Sequence, residues 1–347
     1  MTDKYLEKSI SECKKSIVEG KFLLDNLLSQ YHSVNSINPL KRFCLYKSDI
    51  ESTWRGIDCD VSLAAIVMYS MLHSDWLEGE SIRLQSGSGC KYCIQSKTGN
   101  QYRGDTLTSA WTIFSMYLSF LWDKEKGNSD FRQLFGKSQE GKLTTILPKD
   151  DPTYDSFMDY FFKLVVENPY GISVVESKIS SAATDFLSNY LRIGNCIEVP
   201  EGFNVARSNK GQWDTVDRML WKIYQYFCNG NDSKYLYEMF TKNKCVAVEN
   251  CLKWFEDSGI NKEDININRW KKFVKENLLE PFVDLDTPDW KPISLKTGAP
   301  ISEDDEDYRP LPTTIIECEK FFETANKGIK ERNILIWKKC KDNYEKE

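Results

Sequence analysis

The chain has 347 residues, of which 46 are Lys or Arg and 52 are Asp or Glu, for a formal net charge of −6 at pH 7. A hydrophobic fraction of 41% with 13% aromatic residues excludes an intrinsically disordered chain. Positive charges are scattered among negative ones, which argues against nucleic acid as the main ligand. The first residues are charged, and no apolar run is long enough to span a bilayer. We therefore expect a cytoplasmic protein that does not interact with a membrane.

Helical periodicity dominates the chain from its first residues. Apolar residues recur at steps of three and four from Leu6 to Tyr31, which is the spacing of one face of an α-helix. A second long stripe begins at Ile315 and is interrupted at Arg332. Between these two terminal helices the same criterion predicts helices over residues 63–73, 106–122, 154–166, 182–191, 213–227, 234–241, 246–255 and 270–279.

Evidence for strands is confined to short stretches. Alternating patterns predict strands over residues 81–84, 92–95 and 196–199. The stretch 281–312 is rich in proline and acidic residues and lacks periodicity, so we expect an irregular surface segment there. We predict a mainly α fold, a multi-helix globular bundle with a few short strands and long amphipathic terminal helices. Residues 1–280 would form one helical body, and the helix of residues 313–347 would pack back on it.

The predicted helix over residues 106–122 is apolar on nearly all sides, which indicates a buried, central element. We therefore expect four of its side chains to be buried, namely Trp111, Phe114, Leu118 and Leu121. The sequence before it reads YRGDT, so Asp105 or Thr106 would cap the helix. Alternatively, the helix N-terminus would hold a phosphate or carboxylate ligand, with Arg103 supplying positive charge.

The cysteines and histidines limit the available chemistry. Eleven cysteines are an odd number in a large chain without an export signal, so we expect reduced thiols. Cys90 and Cys93 have the spacing of two of the four ligands of a structural zinc site. The chain has no second pair of cysteines with this spacing, and its only histidines are His32 and His73. We therefore predict no metal and no cofactor. A histidine-based zinc hydrolase is excluded, and neither histidine stands near a nucleophile motif for a Ser-His-Asp triad.

The stretch RIGNCIEVPEGFNVARSN, residues 192–209, contains more turn-forming and polar residues than a connector needs. Turn chemistry and a core position for Phe203 explain many of them, but Asn195, Asn204, Arg207 and Asn209 have no evident local role. If the stretch binds a ligand, Arg207 and Asn204 should approach the turn at residues 103–106 and line one anion pocket with it. If it is a connector, Phe203 should be buried, Arg207 should point into solvent, and the two loops should lie apart.

Part of this stretch, IGNCIEVPEGFN, resembles the element that follows the catalytic histidine of HNH-type (His-Me finger) nucleases. It is also similar to an element of an uncharacterised bacterial protein family that carries an RGDT-like turn. Asn195 and Asn204 match the nucleases by position. In those nucleases an upstream histidine acts together with a metal, and residues 150–194 contain no histidine. The resemblance therefore implies a related loop without that catalytic route.

Two functions remain open. The favoured one is a cytosolic helical interaction or effector protein, in bacterial conflict or phage defence, whose terminal helices bind a protein partner or self-associate. The alternative is an enzyme or binding protein that acts on a phosphate-bearing ligand, a nucleotide or nucleic acid, at loops 103–106 and 194–207. Its ligand-binding residues would be Arg103, Asp105, Thr106, Asn195, Asn204 and Arg207. We favour the first because the sequence shows no complete catalytic set, and catalytic residues are not assigned.

Overall fold

The computed structural model describes residues 3–20, 40, 62–84, 92–125, 169–207, 215–260, 263–302 and 308–346. This part of the chain contains eleven α-helices: α1 (Asp3–Val18), α2 (Leu63–Leu72), α3 (Ala110–Glu125), α4 (Pro169–Glu176), α5 (Ser181–Asn189), α6 (Phe203–Arg207), α7 (Val216–Cys228), α8 (Lys234–Met239), α9 (Lys244–Asp257), α10 (Asn266–Glu276) and α11 (Ile315–Tyr344). It also contains four strands: β1 (Leu77–Leu84), β2 (Tyr92–Ser96), β3 (Gln101–Thr106) and β4 (Cys196–Pro200). The described part is therefore mainly helical, with one small sheet.

The strands form one antiparallel sheet in the order β1-β2-β3-β4. The three predicted strands are all present, but β3 was not predicted, and the helix expected over residues 106–122 begins only at Ala110. The stretch QYRGDT lacks the apolar alternation that favours a strand, so its pairing with both neighbours decides its conformation. The inner face of the sheet packs on α2 and the turn after it, where the rings of Trp76 and Tyr102 lie 5.1 Å apart.

Most helix predictions that fall on described residues are confirmed. The predictions over residues 182–191, 213–227, 234–241, 246–255 and 270–279 correspond to α5, α7, α8, α9 and α10. The helix predicted over 154–166 lies outside the described residues, as does the N-terminal stripe beyond residue 20. Helices α4, with eight residues, and α6, with five, were not predicted.

The apolar character of α3 places it in the core, as predicted. Phe114, Leu118 and Leu121 are buried, and Ile113 and Tyr117 are buried beside them. The Trp111 side chain lies outside the described part of the structure. A helix that buries residues on several faces must be covered on most sides, and α11 is one of the elements that cover α3.

Helix α11 is continuous over 30 residues and packs against α1, α2, α3 and α5. Arg332 interrupts the apolar stripe but not the helix, because this buried side chain is satisfied by hydrogen bonds. Its guanidinium donates to the carbonyl oxygen of Gly194 at 3.0 Å, that of Leu278 at 3.0 Å and the Tyr69 hydroxyl at 3.0 Å. A charged residue therefore ties three segments to the centre of α11 without breaking the helix.

The described residues of the segment, 281–302 and 308–312, are irregular, as predicted, but they do not lie only on the surface. Leu295, Ile301 and Tyr308 are buried. The Tyr308 hydroxyl and the Leu295 amide both donate to Asp217 on α7, at 2.6 and 2.9 Å. Apolar anchors and a shared buried carboxylate therefore hold this segment on the helical body. Among the described helices, none is long and apolar enough to cross a membrane.

Candidate functional site

The two predicted ligand loops lie side by side, because β3 pairs with β4. The register places Arg103 opposite Val199, Asp105 opposite Ile197, and Thr106 opposite Cys196. Proximity of the loops was expected only if they formed a binding site. The pairing shows that sheet formation brings them together, so their proximity is not by itself evidence of a ligand.

Arg207 follows neither of the two predicted arrangements. Its side chain is 0% exposed and that of Asp105 is 3% exposed, with Arg207 Nη2 and Asp105 Oδ2 2.8 Å apart. The same nitrogen donates to the carbonyl oxygen of Thr106 at 2.9 Å. The expectation that Arg207 points into solvent in a connector is therefore wrong. Its charge is compensated inside the protein, where a carboxylate takes the place that an anionic ligand would have.

Asp105 and Thr106 do not cap a helix. Asp105 Oδ1 accepts a hydrogen bond from the Thr106 amide at 2.8 Å, within β3, while α3 begins four residues later. Arg103 stands two residues before Asp105 on the same face of the strand and forms an ion pair with Glu201. These two side chains are 17% and 51% exposed, so this pair meets solvent whereas the Asp105–Arg207 pair does not.

Asn195 and Gly194 have structural roles. The buried Asn195 carboxamide accepts from the Thr108 amide at 3.1 Å and donates to the carbonyl oxygens of Thr108 and Tyr190. A Cβ atom at Gly194 would lie 2.0 Å from the carbonyl oxygen of Ile329 on α11. Glycine is therefore required here by the close approach of a helix backbone. The Asn204 side chain lies outside the described part of the structure.

Phe203 is buried, as expected, and its ring lies 5.2 Å from that of Phe240 and 5.9 Å from that of Trp254. The Arg207 guanidinium lies 5.6 Å from the centre of the same Phe203 ring. Within this stretch, the side chains of Asn195, Phe203 and Arg207 thus make internal contacts.

A groove that sequence reasoning did not predict lies between α1 and β1. Its volume is about 1150 Å³, and it is lined by Leu6, Glu7, Ile10, Ser11, Lys14, Ser70, Ser74, Leu77, Gly79, Glu80, Ile82 and Arg83. Leu77 and Ile82 are buried, while Leu6 and Ile10 are half-buried. The apolar pattern that begins at Leu6 predicted a helix with one apolar face. It did not predict how much of that face other parts of the protein cover.

A smaller polar cleft of about 230 Å³ lies where β3 begins and β4 ends. It is lined by Gly99, Asn100, Gln101, Pro200, Glu201, Asn250 and Lys253. Asp257 accepts hydrogen bonds from Asn100 at 2.8 Å and from the Tyr102 hydroxyl at 2.6 Å, which holds the turn before β3 against α9. Burial raises the pKa of Tyr102 well above its ordinary value, so this hydroxyl acts as a hydrogen-bond donor.

His73 is buried between aromatic rings, with ring centres 5.9 Å from Tyr69 and 5.0 Å from Trp76. Its Nδ1 makes no hydrogen bond within the described part of the chain. Burial, with a smaller contribution from the charge of Lys339, lowers the pKa of His73 well below its ordinary value. The imidazole is therefore neutral at physiological pH and belongs to the core.

The expectation of reduced cysteines is wrong at one position. Cys196 is disulfide-bonded, a pairing that spacing along the sequence cannot reveal. Seven others are free: Cys13, Cys93, Cys228, Cys245, Cys251, Cys318 and Cys340. Cys90 lies outside the described residues, so the predicted absence of a Cys90–Cys93 metal site stays a prediction. Among the residues that the structure describes, no group of three or more His, Cys, Asp and Glu side chains is placed to hold a metal ion.

No protein-family model matches the chain, and the chain matches none of the curated proteins or solved structures with which it was compared. The resemblances to the uncharacterised bacterial family and to HNH-type nucleases therefore stay predictions.

Proposed function

We propose that this chain is an interaction protein that binds a segment of a partner protein in the groove between α1 and β1. The observation that supports this best is the incomplete coverage of the apolar face of α1. Along that face Ile17 is buried, whereas Leu6, Ile10 and Cys13 remain half-exposed. A half-covered apolar face that lines an open groove is typical of a protein-binding surface.

The two terminal helices differ in this respect. The apolar face of α11 is used inside the protein, where Phe321, Phe322, Ile329 and Ile336 are all buried. The proposal therefore assigns partner binding to the N-terminal helix, and α11 acts as the scaffold on which that helix rests.

The composition of the groove favours a protein segment over a small molecule. Its floor is apolar, through Leu77 and Ile82, and it is bordered by exposed charges of both signs, including Glu80 and Arg83. An apolar centre with a charged rim is the usual anatomy of a protein interface. Its volume of about 1150 Å³ also exceeds the range of about 300–1000 Å³ that is common for small-ligand pockets.

The cellular setting that we propose is the cytosol of a bacterium, with a role as an effector in bacterial conflict or phage defence. The resemblance of residues 193–204 to the uncharacterised bacterial family, itself still a prediction, is the reason for this setting. The multi-helix bundle predicted for the whole chain is part of the same proposal.

Selection of a displayed peptide library against the full chain tests the groove. The variant Ile10→Glu places a charge on the half-buried wall of α1, whereas Tyr5→Glu places the same charge at a position that is 57% exposed and does not line the groove. We expect the enriched peptides to lose roughly tenfold or more in affinity with Ile10→Glu and to keep it with Tyr5→Glu. Peptides that bind both variants equally would place the interaction surface elsewhere.

Sedimentation of the two variants and the wild type identifies the occupant. A concentration-dependent dimer that Ile10→Glu dissociates would show that a second copy fills the groove. A monomer at all concentrations, together with the peptide result, would support a different protein as the partner.

A further inference from the structure

Two arginines that are distant in sequence stand in one row across the outer face of the sheet. Arg83 on β1 is directly opposite Cys93 on β2. Ile94 pairs with Tyr102, so the preceding residue, Cys93, lies beside Arg103 on β3. Directly opposed residues of antiparallel strands share a face, and successive residues alternate between faces. Arg83, Cys93 and Arg103 therefore lie on the face opposite to the one that packs on α2.

The two arginines are close enough to act on one ligand. Neighbouring strands lie about 4.8 Å apart, so the two Cα atoms, two strands apart, are separated by roughly 10 Å. Long side chains on either side of a small thiol can converge above it. Burial raises the pKa of Cys93, and the positive charges of Arg103 and Arg83 partly oppose this rise. Both guanidinium groups therefore lie near the Cys93 thiol.

Both guanidinium groups retain donors that the described residues do not satisfy. Arg83 is exposed, and its one hydrogen bond in this part of the chain is a long one, 3.4 Å to the Gln95 carboxamide oxygen. Arg103 pairs with Glu201 through Nη2, but its Nε is shielded from solvent and makes no hydrogen bond within the described residues.

We propose that the outer face of the sheet, between Arg83 and Arg103 and above Cys93, binds the phosphoryl group of a small molecule. Guanidinium groups match the geometry of phosphate oxygens, and a tetrahedral dianion offers several acceptors to two arginines at once. The sequence analysis predicted an anion site formed by Arg103 and Arg207. In the site proposed here Arg83 is the second arginine, because Arg207 is paired with Asp105. Glu201 competes with the ligand for Arg103, and ligand binding would displace its carboxylate.

Calorimetric titration of the full chain tests the site with two probes, inorganic phosphate and ATP, with the ionic strength held constant by NaCl. We expect Arg83→Gln and Arg103→Gln each to weaken binding roughly tenfold or more, since each removes charge-assisted hydrogen bonds. Glu201→Gln should strengthen binding, because it removes the competing carboxylate. Lys330→Gln, at an exposed position on α11, removes the same charge outside the row and should have no effect.

Arg83 is exposed, so Arg83→Gln tests the site even if Arg103→Gln is unstable.

The outcomes are distinct from those of the groove experiment. If both probes bind, compete with each other and respond to Arg83→Gln, Arg103→Gln and Glu201→Gln, the site recognises the phosphoryl group itself. If ATP alone binds and phosphate does not displace it, or if Arg83→Gln behaves like Lys330→Gln, the proposal is overturned. Arg83 also borders the groove, so Ile10→Glu, which lies outside the arginine row, separates the two proposals and should leave phosphate binding unchanged.

Discussion

Replacement of Arg207 by Met should leave Asp105 as a buried carboxylate without its cation. The two side chains are 0% and 3% exposed and 2.8 Å apart, so solvent cannot compensate for the lost charge. Removal of one partner of a buried ion pair costs about 3–5 kcal/mol. Folded proteins are stable by only about 5–15 kcal/mol, so we expect a large fall in the free energy of unfolding. The double variant Asp105→Asn/Arg207→Met should lose less than the sum of the two single changes, because no charge is left unpaired.

Urea denaturation followed by tryptophan fluorescence measures all four proteins of this double-mutant cycle. The matched control is Arg103→Met, which breaks an ion pair whose Glu201 partner is 51% exposed, and which should cost about 1 kcal/mol or less. If Arg207→Met costs no more than this control, or if the two single effects are additive, the reasoning is refuted. Arg207 would then be available to a ligand again.

Three further predictions concern the core. Gly194→Ala should lower the free energy of unfolding by at least about 3 kcal/mol, since the new Cβ would lie 2.0 Å from the Ile329 carbonyl oxygen. Gly79→Ala, whose Cβ would make ordinary contacts at 3.7 Å, should change it little. Equal melting temperatures for the two variants would contradict this. Because burial lowers the pKa of His73, its contribution to stability is complete above the unfolded pKa of about 6.5 and is lost as the pH falls below it. His73→Leu should flatten the dependence of the unfolding free energy on pH between about pH 6.5 and 5, and an unchanged slope would argue against a buried neutral imidazole. Leu118→Ala in α3 should lower the free energy of unfolding by about 2–5 kcal/mol, and a change within error in urea denaturation would exclude a central position.

The sequence by itself determined the mainly helical character of the chain and the places of its longer helices. An amphipathic helix has apolar residues three and four positions apart, so a window of about a dozen residues is enough to predict α7 and α10. The burial of Phe114 and Leu118 followed from the same local evidence, because α3 lacks a polar face. Periodicity did not show which part of the α1 stripe stays uncovered, since that depends on what packs against it.

Only the tertiary structure decided the conformation of QYRGDT and the environment of the charged residues. Residues 101–106 become a strand because two other strands pair with them, one of them about a hundred residues later in the chain. Arg207 is buried because Asp105 meets it there, and Gly194 is required because the backbone of α11 passes beside it. In each case the decisive partner is remote in sequence. Hydrogen bonds, ion pairs and close contacts act over a few ångströms in space, so local sequence patterns contain no information about them until the fold brings the partners together.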